Sequence, residues 1–170
     1  MKIHNGVNME MKKFSSLFLV LILSIPLLGA CSDEEHEDHE GSHQASNGDL
    51  RQRTESAEVV PTFLDDKSED MQNIYRAAAM HQELLENIPC YCGCGESANH
   101  KSNYDCFIHE NKKDDSLVWD DHATRCKACL DIAVKSMLEY KDGKSIKEIR
   151  TMIDEQYKDG FGEPTPTPEL

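Results

Sequence analysis

The sequence predicts a mostly α-helical domain, a small helical bundle framing a long Cys-rich loop, preceded by a signal peptide and a disordered tether. Three observations carry that prediction. Apolar residues recur at three- and four-residue steps in three separate stretches, as they do on the buried faces of amphipathic helices. Between the first two stretches, Cys90 to Asp120 shows no regular period and holds four cysteines. Ahead of Pro61 the chain is first strongly apolar and then strongly polar, so the folded part is shorter than the 170 residues of the chain.

The first apolar run, Leu17 to Ala30, follows Met11-Lys12-Lys13 and ends at Cys31. A basic start, a short apolar core and small residues before a cut define a secretory signal, here residues 1–30. The run is short and broken by Pro26, which argues against a membrane span. Met1 to Glu10 stands ahead of a signal that is complete from Met11 onward, so Met11 is an alternative start. Residues 31–60 read as an acidic, His-containing tether. From Ser32 to Glu58 there is almost no large apolar side chain to offset ordering entropy. His36, His39 and His43 stand among its acids, a composition suited to solvation and to loose ion contact.

The predicted domain spans residues 61–162. Asp65 to Ser68 offers N-caps to a helix whose stripe is Met71, Ile74, Tyr75, Ala78, His81, Leu85 and Ile88, and Pro89 ends it. A second helix follows Asp120-Asp121-His122, with Cys126, Cys129, Leu130, Ala133 and Met137 on one face and Gly143 at its end. Ser145 and Glu148 form an S-x-x-E capping box for a third, whose apolar face is Ile146, Ile149, Met152, Ile153 and Tyr157. Residues 163–170 form a Pro-rich extended tail. Within the long loop only Leu117-Val118-Trp119 reads as strand, and one strand makes no sheet.

Charge narrows the function. With 18 Lys+Arg against 32 Asp+Glu the net charge is −14, which opposes binding to a phosphate backbone. No G-x-S-x-G, P-loop or dinucleotide fingerprint is present, so hydrolase and nucleotide chemistry lack a signature. The chemistry-bearing residues are the cysteines. Pro89-Cys90-Tyr91-Cys92-Gly93-Cys94 places three thiols at alternate positions, which an extended backbone points to one side. Cys106 follows, and Cys126 and Cys129 form C-x2-C at a predicted helix start, where exposed N–H groups favour thiolates.

Three chemistries fit these groups. Soft thiolates suit Cu(I) or Zn(II). Six cysteines in an oxidising compartment also allow three disulfides, in fifteen connectivities. A C-x2-C at a helix start is also the geometry of thiol–disulfide exchange, which would make the protein an oxidoreductase if it is an enzyme at all. The soft-metal reading leads, with Cys90, Cys92, Cys94, Cys106, Cys126 and Cys129 as ligands, His100 and His109 as additions, and copper ahead of zinc as cofactor. His81, on an apolar helix face, reads as a core histidine. His122 reads as a helix-cap or surface residue, and Asp120 and Asp121 as caps.

Three resemblances add to this. Leu28-Gly29-Ala30-Cys31 resembles the lipobox of bacterial lipoproteins, which implies diacylation of Cys31 and a membrane anchor on the outer face. Losing residues 1–30 removes Lys2, Lys12, Lys13 and Glu10 and leaves a charge of −16, so lipid and not headgroup attraction would hold the protein there. The run from Pro89 to Cys94, continued through His100 to Asn103, Cys106 to His109, Trp119 to His122 and Cys126 to Cys129, resembles the PCYCGC-motif lipoproteins of Bacillus-like Gram-positive bacteria. The C-terminal half, with Cys126/Cys129, Gly143 to Ile149 and Tyr157, is similar to CcmH-type proteins that handle apocytochrome thiols. That likeness implies a redox pair at Cys126 and Cys129. The partners expected are the membrane and a metal-receiving or thiol-bearing membrane protein, with no nucleic acid.

Overall fold

A computed structural model describes residues 41–170. The signal segment, the lipidation candidate Cys31, and His36 and His39 lie outside the described residues. Among the described residues no helix is long and apolar enough to cross a membrane.

Helices form largely where the apolar period places them. Helix α1 spans Glu69–Met80, with the Ser68 hydroxyl accepting from the Met71 N–H at 3.2 Å. The predicted stripe breaks at His81, and a short α2, Gln82–Glu86, completes it. One turn, α3, covers Cys94–Ser97. The long α4, Lys127–Lys141, is followed by Gly143 at φ +91°, a left-handed position that suits glycine. Helix α5, Ile146–Tyr157, carries the complete Ser145/Glu148 capping box and buries Ile149, Ile153 and Tyr157.

The mostly α expectation is corrected by a four-stranded antiparallel sheet, which makes this a mixed α and β fold. Its strands are β1 (Ser42–Gln44), β2 (Leu50–Thr54), β3 (Ile108–Asn111) and β4 (Leu117–Asp120), in the spatial order β1-β2-β4-β3. The anticipated single strand, β4, therefore has a partner on each side. One comes from the loop, and the other from residues expected in the tether, so the sheet draws on residues well ahead of Pro61. Composition hid β2 because polar pairs hold it. Arg51 sits opposite Asp120 and pairs with it at 3.0 Å, and the Trp119 indole N–H donates to Thr54 Oγ1 at 2.7 Å. Arg53 reaches Asp114 and Ser116 beyond the far end of β4.

The core lies between the Leu117/Trp119 face of β4 and the helices. Tyr75 of α1 packs edge-on against Phe107, with ring centroids 5.0 Å apart, and its hydroxyl donates to the Asp120 carbonyl at 3.0 Å. Cys90, Cys106 and Cys129 are part of the same buried cluster. The sulfurs are thus set into the hydrophobic core, where apolar packing fixes their backbone.

The Pro-rich tail is extended but attached. The Thr165 N–H donates to the Cys90 carbonyl at 3.0 Å, and the Cys90 N–H donates to Thr165 Oγ1 at 2.9 Å. Gly162 lies so close to the Cys-rich loop that a Cβ there would stand 2.6 Å from the Gly93 nitrogen. This strap of residues 162–165 holds the first three cysteines in place.

Candidate metal centre

Each sulfur reaches the centre by a different local device. Cys90 and Cys92 come from the irregular run after Ile88. Gly93, at φ +81°, then turns the chain into α3 and swings Cys94 back toward them. The three sulfurs do converge, through this turn and not through simple strand alternation. Cys106 closes a 3-10 turn, Tyr104–Cys106, that Phe107 caps. Cys126 is the N-cap of α4 and Cys129 lies in its first turn, so both sit where the helix presents positive potential. The buried Asn103 amide donates to the Cys129 carbonyl at 3.1 Å, which ties α4 to the loop.

The result is a tight sulfur cluster. Cys90 Sγ lies 3.4 Å from Cys92 Sγ and 3.3 Å from Cys129 Sγ, and all six cysteines of residues 90–129 are free. Donor atoms within 4.8 Å of one another fall into overlapping groups. Four contain sulfur, Cys92/His122/Cys126/Cys129, Cys94/His100/Cys106/His122, Cys90/Cys92/Cys94 and Cys90/Cys106/Cys129, and a fifth joins Asp49, His100 and Asp120. Such thiolate and imidazole groups can hold a metal ion, and soft or borderline ions match these donors.

The two imidazoles are held differently. His100 is buried, with Nδ1 at 3.5 Å from Cys94 Sγ and 3.6 Å from Cys106 Sγ, and with no hydrogen-bond partner on Nε2 among the described residues. His122 directs Nε2 toward Cys92 Sγ at 3.9 Å, while its Nδ1 meets the buried Asp49 carboxylate at 3.1 Å. A carboxylate behind a ligating imidazole is the usual device for fixing its tautomer and orientation. Asp49 is itself paired with Arg125.

Mutual hydrogen bonding polarises the thiols. Bonds from Cys106, Cys129 and Cys92 lower Cys90 to about 4. Cys92 and Cys94 are also lowered, first of all by Cys106. Burial pushes Cys106 up, and the bond shared with Cys106 pushes Cys129 up. His122 is raised by Cys126 first, then by Cys92 and Cys94. A soft cation binds thiolates, so its uptake displaces protons from the thiols that take it.

The structure brings together all six expected cysteines and His100. It does not bring in His109, which lies exposed on β3 because Ile108 takes the inward face and the next side chain turns outward. It adds His122, which sequence reasoning assigned to a cap or the surface. The signal for it was present as H-x3-C-x2-C, His122 to Cys129. His81 stays away from the sulfurs, bonding the Ala77 carbonyl through Nδ1 at 2.7 Å. Asp49, Asn103 and Thr165, which position ligands, carried no sequence signal. An open cleft of 290 Å³ beside the cluster is lined by Cys92, Cys94, His122 and Cys126, with Asp49 and Arg125 also on its walls.

A family model described as a protein of unknown function with PCYCGC motif matches residues 19–170. No curated protein and no solved structure matches the chain.

Proposed function

Because the chain belongs to the PCYCGC-motif family, whose description assigns no activity, we propose a function from the site itself: capture and delivery of a soft metal ion, Cu(I) ahead of Zn(II), at the outer face of a membrane. The observation that carries this reading is the convergence of six sulfurs and two imidazoles on one centre. Copper leads because two of the donor groups are all-sulfur triads, a set that suits three-coordinate Cu(I), and Zn(II) follows because the Cys3His and Cys2His2 groups offer the four ligands a structural zinc takes. Anchoring is part of the proposal. It rests on the lipobox-like Leu28 to Cys31, with lipid on Cys31, as in a surface lipoprotein of a Gram-positive cell. The receiving partner is a membrane protein that offers thiols or imidazoles.

The test offers the reduced full-length chain Cu(I) bound to bathocuproine disulfonate under anaerobic conditions, and Zn(II) in a parallel arm. Uptake from the chelator, with the thiols of residues 90–129 shielded from alkylation, is expected with copper and to a lesser degree with zinc. Metal left on the chelator, with these thiols recovered only after reductant, would replace the metal reading with a disulfide-stapled domain. Metal left on the chelator with a measurable potential confined to Cys126 and Cys129 would make the protein a thiol–disulfide exchanger.

A further inference from the structure

We propose that the centre holds two Cu(I) ions of unequal lability, one buried on Cys90, Cys106 and Cys129, the other at a mouth formed by Cys92, Cys126 and His122. The inference rests on the soft-metal reading above and deepens it. Its first support is arithmetic of ligands. Apart from Cys129, which lies within reach of both, the two donor sets share no member, and each draws its ligand atoms within 4.8 Å. One ion accepts at most four of these donors at ordinary bond lengths. A single ion would therefore leave soft donors of a second complete set beside it, inside the core.

Burial supplies the second support. Cys90, Cys106 and Cys129 are each 0% exposed, whereas Cys92, Cys126 and His122 are half-buried and line the open cleft. Solvent and competing ligands reach the second set directly from the cleft, whereas the first is closed off in the core. The two positions adjoin, because Cys129 also lies within the group of Cys92, His122 and Cys126, and Cys90 Sγ is 3.4 Å from Cys92 Sγ. A thiolate can bridge two Cu(I) ions, so Cys129 serves both. Cys94 and His100 stand against the rest of the cluster as further donors.

Exchange then has a direction. A thiolate from an acceptor enters the cleft and replaces His122 Nε2 on the mouth ion: one Cu–N bond breaks and one Cu–S bond forms. Copper stays Cu(I), and no electron is transferred. The buried ion remains as the cluster's fixed element.

Native mass spectrometry of the full-length chain titrated with Cu(I), followed by stepwise addition of bathocuproine disulfonate, tests this. A plateau at two ions is expected, with the second ion requiring at least tenfold more chelator for release than the first. Cys126→Ser should lose the easily released ion and keep the other. A plateau at one ion, or two ions leaving together, overturns the inference while the soft-metal reading stands. No uptake at all overturns both. The wild-type titration needs no variant, so a misfolded Cys126→Ser protein does not decide the matter.

Discussion

Cys90, Cys106 and Cys129 sit in the buried core cluster with Phe107, whereas Cys92, Cys126 and His122 sit at the edge of a cleft with Asp49 and Arg125. Backbone bonds fix the first group: Cys90 is held on both its N–H and its carbonyl by Thr165, and the Cys129 carbonyl by Asn103. Charge fixes the second, through the Asp49 carboxylate on His122 Nδ1 and the Arg125 guanidinium on Asp49. One side of the cluster is therefore inseparable from folding, and the other can be altered with the fold intact. The proposed transfer role draws on both properties, since buried thiolates hold a soft ion and ligands at an open cleft can release it.

Cys129→Ala breaks the comparison at its strongest point. It removes a sulfur that belongs to both donor sets, and it leaves a small cavity in the core. Loss of most bound Cu(I) is expected, together with a destabilisation of roughly 1–3 kcal/mol, in the range of substitutions that disturb a packed core. Urea denaturation and copper stoichiometry on the same preparation check this. Intact stability with full stoichiometry would mean that the buried set does not organise the site.

Asp49→Asn tests the other side. The amide cannot supply the charge that orients His122 from behind. Losing such a partner costs roughly 10–100-fold in metal affinity. The loss should fall on the readily exchanged copper alone, seen as a lower chelator concentration for its release. Folding should change less than in Cys129→Ala, because Asp49 borders the cleft and contributes no apolar packing.

Sequence legibility divides along similar lines. The helices were readable because their signals are local: Ser68, the Ser145/Glu148 box and Gly143 each act within one turn. The sheet was not, because β2 is mostly polar and finds β4 through Arg51–Asp120 and Thr54–Trp119, contacts across more than sixty residues of chain. With no apolar period to betray it, Leu50 to Thr54 looked like tether. The cysteines announced the centre by spacing alone. Which histidines join them depends on how β3 and the turn after β4 orient their side chains, and chain distance does not encode that. His100 and His109 both lie near Cys106 in sequence, yet only His100 faces its sulfur.

His109→Gln and His122→Gln form the finest comparison, since they make the same substitution on two histidines of this segment. His109 projects from β3 into a cavity with Arg51 and Lys101 that His100 also lines, and it belongs to none of the sulfur-containing groups. Replacing it should leave copper stoichiometry and chelator competition within error of the wild type, with stability shifted by less than about 0.5 kcal/mol, as for a surface substitution. His122→Gln removes a donor shared by two groups and strands Asp49 beside Arg125. It should cost the mouth ion while the buried ion stays. Equal effects of the two variants would show that imidazole near the cluster acts through general charge and not through ligation. Unequal effects in the stated direction would assign ligation to the histidine whose second nitrogen already rests on a carboxylate.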